Sequence, residues 1–151
     1  MRAEAGATAM IVGLLFLGAA VTAAEPAMLE MERDSQCGRW HVAIYASGFA
    51  HVVSRDTCGG RGEGATLRRI MPADLIRVRK ALRDADFATM PSRLTPPTVV
   101  TDEDVLTISS RVSGETGEVM AFGVERLENK ETGRRFELVW DTVVALAVES
   151  K

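Results

Sequence analysis

The chain reads as an α+β domain: an antiparallel sheet of four to five strands from two hairpins, with two amphipathic helices on one face, in ββαββα order. Three observations predict it. Two stretches rich in β-branched and aromatic residues each contain a glycine-bearing turn. Each is followed by a segment whose apolar residues recur at helical spacing. Two cysteines, Cys37 and Cys58, flank the first hairpin.

The domain so defined covers 37–151, preceded by a signal peptide at 1–24 and a flexible leader at 25–36. Arg2 lies near the start, an apolar run occupies 10–20, and the small residues Val21, Thr22, Ala23 and Ala24 precede Glu25. A basic tip, apolar centre and small-residue site in that order make an export signal. Thr22 and Ala24 fit the two small positions, so cleavage is expected after Ala24, with Ala23 as the second choice. An uncleaved anchor is the competing reading, because the uncharged stretch 5–24 approaches the length of a membrane span. Its strongly apolar centre is much shorter, so cleavage is preferred and no stable span is expected afterwards. Cleavage leaves roughly 130 residues, which suits a single domain with a real core.

The 151-residue chain has a net charge of −3 with both signs interspersed. A basic stripe is absent, so nucleic acid is not an expected partner. Export places the cysteines in an oxidising compartment, the periplasm or the exterior, where a Cys37–Cys58 disulfide persists. Closing a loop of about 20 residues stabilises a fold by roughly 3 kcal/mol in the chain-entropy model.

The first strand is expected at 39–45 and the second at 49–54, joined through Ala46, Ser47 and Gly48. A two-residue loop puts Cys37 directly opposite Cys58 at a non-hydrogen-bonded pair, where Cα atoms lie roughly 4.5 Å apart. A three-residue loop with a glycine bulge puts Cys37 opposite Thr57 instead, but the cysteines still clamp the open end of the hairpin. A short strand is possible at 65–70. The first helix is expected over 72–86: Pro72 suits a first helical position, Asp74 favours the helix dipole, and Leu75, Val78, Ala81, Leu82 and Ala85 share a face.

The long connection at 88–104 contains Pro91, Pro96 and Pro97, with a brief pairing possible at 98–100. Long loops in compact domains are often functional. In the second hairpin, a three-residue turn at Glu115-Thr116-Gly117 makes Val112 meet Met120 and Ile108 meet Val124, which aligns the apolar residues. The last helix is expected over 134–149, with Phe136, Val139, Trp140, Val143 and Ala147 inward and Gly133 limiting its start.

The pattern Cys37-x-x-Trp40-x-x-x-Ile44-Tyr45-x-x-Gly48, continued by Asp86-Phe87 and Thr101-Asp102-Glu103 before a strand, resembles a family of uncharacterised exported bacterial domains. The resemblance implies the two-hairpin, two-helix arrangement and supplies no activity.

Few residues carry a chemical signal. His41 and His51 are the only histidines. In the three-residue-loop register they share a sheet face, where an acidic third ligand could complete a metal site; in the other register they face opposite ways. The glycines of 59–64 lack the strand-then-helix context of a phosphate loop. Asp102, Glu103 and Asp104 lack the spacing of a calcium loop. No G-x-S-x-G elbow is present. Neither a metal nor a cofactor is therefore assigned, nor any catalytic residue.

The favoured role is a noncatalytic module binding a protein or other envelope ligand, with Pro96, Pro97, Asp102, Glu103 and Asp104 as the candidate binding loop. The alternatives are a small periplasmic hydrolase or metal-assisted enzyme using His41, His51 or Asp102, and an inhibitor of an extracellular enzyme.

Overall fold

The computed structural model describes residues 25–59 and 62–147; the export signal expected at 1–24 lies outside them. Seven strands form one sheet: β1 (Leu29–Ser35), β2 (Gly38–Ile44), β3 (Phe49–Asp56), β4 (Gly62–Arg69), β5 (Arg93–Leu94), β6 (Val105–Ser110) and β7 (Gly117–Phe122). Their order across the sheet is β4-β3-β2-β1-β6-β7-β5. Every neighbouring pair is antiparallel except β5 with β7, which is parallel. Helices α1 (Pro72–Asp84) and α2 (Lys130–Ala147) complete the α+β fold.

This architecture corrects the expected sheet of four to five antiparallel strands in ββαββα order. The largest difference is β1, which occupies most of the expected leader at 25–36 and pairs with β2 on one side and β6 on the other. Four of its seven residues are charged, which hides it in the sequence. Leu29 and Met31, each 1% exposed, are its contribution to the core. The intervening Glu30, Glu32 and Asp34 point the other way and pair across the sheet. Glu32 lies 3.1 Å from Arg39, Asp34 accepts from Arg39 at 2.8 Å, and Glu30 accepts from Arg111 at 2.6 Å. The strand therefore satisfies its charges laterally while burying one apolar edge.

The first hairpin adopts the three-residue loop. Ile44 pairs with Ala50, the Tyr45 N–H donates to the Phe49 carbonyl at 2.9 Å, and Gly48 takes φ +88°. Cys37 thus faces Thr57, whose N–H donates to the Cys37 carbonyl at 2.8 Å. The disulfide nevertheless joins Cys37 to Cys58, with Cα atoms 4.8 Å apart. Asp56 makes this possible: its carboxylate accepts from the N–H groups of Cys58 and Gly59 and turns the chain back towards β2.

The second hairpin departs further. Ile108 pairs with Val119, not Val124, a slide of five positions. The turn forms earlier, where the Glu115 N–H donates to the Val112 carbonyl at 2.9 Å, and the left-handed glycine is Gly114 at φ +84° while Gly117 joins the strand. An odd slide exchanges the faces of a strand. Val119 and Ala121 therefore enter the core, and Met120 and Phe122 turn away from it. Ser110, buried opposite Gly117, is satisfied by the Val112 N–H at 3.2 Å.

Both helices cover the same sheet face, where Leu75, Val78, Leu82, Phe136, Val139 and Val143 pack with Leu29, Met31, Ile44 and Ile108. The inward positions expected of α1 are all buried. Helix α2 begins earlier than 134, because the Asn129 side chain accepts from the Thr132 N–H at 3.1 Å and supplies a cap. Gly133 sits within its first turn against Val124. From α2, Arg135 reaches back to the carbonyls of Ala85 and Asp86, occupying acceptors left open where α1 ends. The pairing considered at 98–100 does not form; Arg93–Leu94 makes the extra strand instead.

Because β1 is central, Met31→Ala should destabilise the fold by about 2–5 kcal/mol, the cost of truncating a buried side chain of this size. Urea denaturation measures this directly, and a change below about 0.5 kcal/mol is what a surface-like leader position would give instead.

Candidate functional site

A groove of about 490 Å³ opens between the loop before β6, the end of β1 and the flank of α2 that carries Phe136, Glu137, Trp140 and Asp141. Its lining contains Arg33, Leu106, Phe136, Trp140 and the carboxylates of Asp102, Glu103, Asp104, Glu125, Glu137 and Asp141. Arg33 is the one guanidinium among these lining residues, and Arg126, beside them, pairs with Glu103 and Glu125.

Three consecutive acids are anchored by three separate elements. Asp102 accepts from the Gln36 side chain in the turn after β1. Glu103 pairs with Arg126, whose guanidinium also donates to the Thr98 carbonyl at 2.9 Å. Asp104 accepts from Arg33 Nε on β1 at 2.7 Å. Neighbouring residues in a chain cannot ordinarily turn three carboxylates to three fixed positions; here the partners come from different directions and hold each one. Gly123, at φ +46°, is part of this arrangement, because a Cβ there would collide with the Glu103 carboxylate. The other Glu103 oxygen, Oε2, is buried and has no hydrogen-bond partner among the described residues.

The helical wall is built differently. Glu137 and Asp141 lie one turn apart on α2, with Trp140 between them, and neither forms an ion pair among the described residues. Like charges at this spacing repel by a few tenths of a kcal/mol, roughly 0.2–0.5. The Trp140 ring is half-buried, stacked on Phe136 at 6.1 Å and tilted against Trp40 of β2 at 5.7 Å between centroids. It offers an aromatic surface surrounded by negative charge.

The structure divides the candidate binding loop. Asp102, Glu103 and Asp104 line the groove. Pro97 lines a separate cavity of about 350 Å³ beside Arg93, Leu94 and Leu127, and Pro96 is buried. The residues missed in the sequence are Arg33, Glu125, Glu137, Trp140 and Asp141. Glu137 and Asp141 flanking Trp140 on one helix side was the available signal, obscured because Trp140 also falls on the helix's apolar stripe.

The histidines lie elsewhere. His41 sits opposite Val53 and His51 opposite Ala43, on the helix-free sheet face. His41 Nε2 is 3.5 Å from Glu30, in a shallow depression shared with Glu32, Ser109 and Arg111, whereas Asp102 belongs to the groove on the helix side. Among the described residues no set of three His, Cys, Asp or Glu is placed to hold a metal ion. Among the same residues no helix is long and apolar enough to cross a membrane.

No protein-family model matches the chain, and no curated protein matches it.

The Glu30 carboxyl is held below its ordinary value chiefly by the hydrogen bond from Arg111, against an opposing contribution from burial. A carboxylate lowered in the folded state contributes stability that is complete above the ordinary carboxylate range and is lost as pH falls through the lowered value. Arg111→Gln should therefore be less stable than wild type at neutral pH, by no more than about 1 kcal/mol for this half-exposed pair. Urea melts over a pH series should show the two proteins converging on acidification; a gap that widens instead would contradict the assignment.

Proposed function

We propose that this is an exported binding domain whose acidic groove receives a Lys- or Arg-bearing segment of an envelope or extracellular protein. The observation that carries the reading is that Glu137 and Asp141, beside the tryptophan wall of a groove lined by six carboxylates, form no ion pair among the described residues. A cation entering it relieves the repulsion between Glu137 and Asp141 and can lie against the Trp140 face. The buried Glu103 Oε2 adds an acceptor without a partner among the described residues. The volume suits one or two side chains, within the usual range of ligand pockets.

Preorganisation favours binding. The acids of the loop are tied to β1, to the turn after it and to the segment after β7, so they meet a ligand already positioned and little ordering cost remains. The depression around His41 is on the other sheet face, and the reading takes nothing from it.

Export is the second half of the proposal. It rests on the basic, apolar and small-residue sequence of 1–24 and accords with the Cys37–Cys58 disulfide. Mass spectrometry of the protein made in its native cell should find a chain beginning at Glu25 with both sulfurs oxidised. An intact Met1 on protein recovered from the cytosol, with free thiols, is the opposite result.

For the groove, the probe is a fluorescent oligolysine peptide, with oligoglutamate as the control. Saturable binding that weakens with salt and changes tryptophan fluorescence is expected for oligolysine alone. Charge reversal in Glu137→Lys/Asp141→Lys should weaken it by about tenfold or more. Absence of saturable binding by the wild type, or equal binding by the variant, sinks the reading.

A further inference from the structure

We propose that β4 is a self-association edge, along which two copies of the chain join their sheets antiparallel with Glu63 of each copy opposite Arg69 of the other. The strand is last in the sheet order, eight residues long, free of proline, and exposed at every position but Arg68. Leu67 is 67% exposed, the largest value among the exposed large apolar residues. An edge of this kind presents unpaired backbone groups that template another strand.

The register follows from which groups point outward. The Ile70 N–H donates to the Gly48 carbonyl at 2.8 Å, in line with the pairing of Arg69 with Phe49. In an antiparallel ladder hydrogen-bonded and non-hydrogen-bonded pairs alternate. Residues 62, 64, 66 and 68 therefore spend their backbone groups on β3, and Glu63, Ala65, Leu67 and Arg69 turn theirs away from it. A second copy related by a two-fold axis must match outward residues with outward residues.

Centring the axis on Thr66 does so with all four: Glu63 meets Arg69, and Ala65 meets Leu67, each twice. Moving the axis to Ala65 sets Glu63 against Leu67; moving it to Leu67 leaves Glu63 beyond the paired segment. The Thr66 register alone joins the unlike charges and covers the exposed leucine. These four side chains share one face, so each ion pair lies beside an apolar pair. The acidic groove is formed by other elements and stays open in such a dimer.

Sedimentation velocity of the full chain over a concentration series tests this. The wild type is expected to show a reversible monomer–dimer equilibrium. Arg69→Glu turns both attractive pairs repulsive and should raise the dimer dissociation constant by roughly tenfold or more, while Glu63→Arg/Arg69→Glu restores it. Leu67→Pro removes an outward N–H without removing a bond to β3 and should be monomeric with an unchanged circular dichroism spectrum. A wild type that stays monomeric, whether or not it takes up an extended peptide, overturns the proposal. So does a dimer that Arg69→Glu and Leu67→Pro leave intact, or one that the charge swap fails to restore.

Discussion

The fold depends on a strand that is mostly charged. On one side of β1 lies the meander β2-β3-β4, and on the other β6, β7 and β5. Removing β1 would leave two smaller sheets with no strand joining them. Leu29 and Met31 belong to one core cluster with residues from both helices and both flanking strands. A strand in this position needs apolar character on only one face, since the other is solvated. Lateral ion pairs with Arg39 and Arg111 make the polar face compatible with tight pairing. Such exposed pairs add little net stability each. Their role here is to remove the like-charge repulsion that Glu30, Glu32 and Asp34 would otherwise bring to the centre of a sheet.

The same strand organises the groove. Arg33 shares the core-facing side of β1 but lies past the covered part, so its guanidinium reaches Asp104. Gln36, in the turn that follows, reaches Asp102. The loop before β6 is thereby tethered by the strand that β6 pairs with, and site geometry and sheet register are one constraint. A slip of β1 against β6 would move Arg33 away from Asp104 while it moved Leu29 and Met31 out of the core. Loop position is secured by the cost of exposing the core, a larger quantity than any of the loop's own hydrogen bonds.

Legibility in the sequence followed local chemistry. Helix α1 was readable because its proline, its first-turn acid and its apolar stripe all agree, and the structure buries the expected residues. The Cys37–Cys58 pairing was readable because both loop lengths bring the hairpin ends together. The open choice, between Cys58 and Thr57 opposite Cys37, is decided by Tyr45 bonding to Phe49 around a three-residue loop. Non-local matters were not readable. Strand β1 looks like a leader when Leu29 and Met31 are weighed against four neighbouring charges, and only two sheet neighbours make those charges acceptable. The β6–β7 register was misread because Gly117 and Gly114 are equally able to turn a chain, and aligning Val112 with Met120 looked favourable without knowing which side the helices would cover. In the groove, the acids of 102–104 drew attention by composition. Trp140 did not, since a tryptophan at helical spacing is indistinguishable from a core residue until Trp40 and Phe136 are found on only part of its surface.

The acids of the groove divide by their partners. Asp102, Glu103 and Asp104 each hold a neutralising or hydrogen-bonding group from a distant segment, so these carboxylates contribute to tying the chain together. Glu137 and Asp141 do no such work among the described residues: they face each other along one turn of α2, beside an aromatic ring and across from three more acids. Replacing either with a neutral helix former would cost the fold nothing that its described contacts show and would lessen repulsion. At these two positions the charge opposes local helix stability, and a cation brought into the groove would convert that repulsion into attraction for both carboxylates at once.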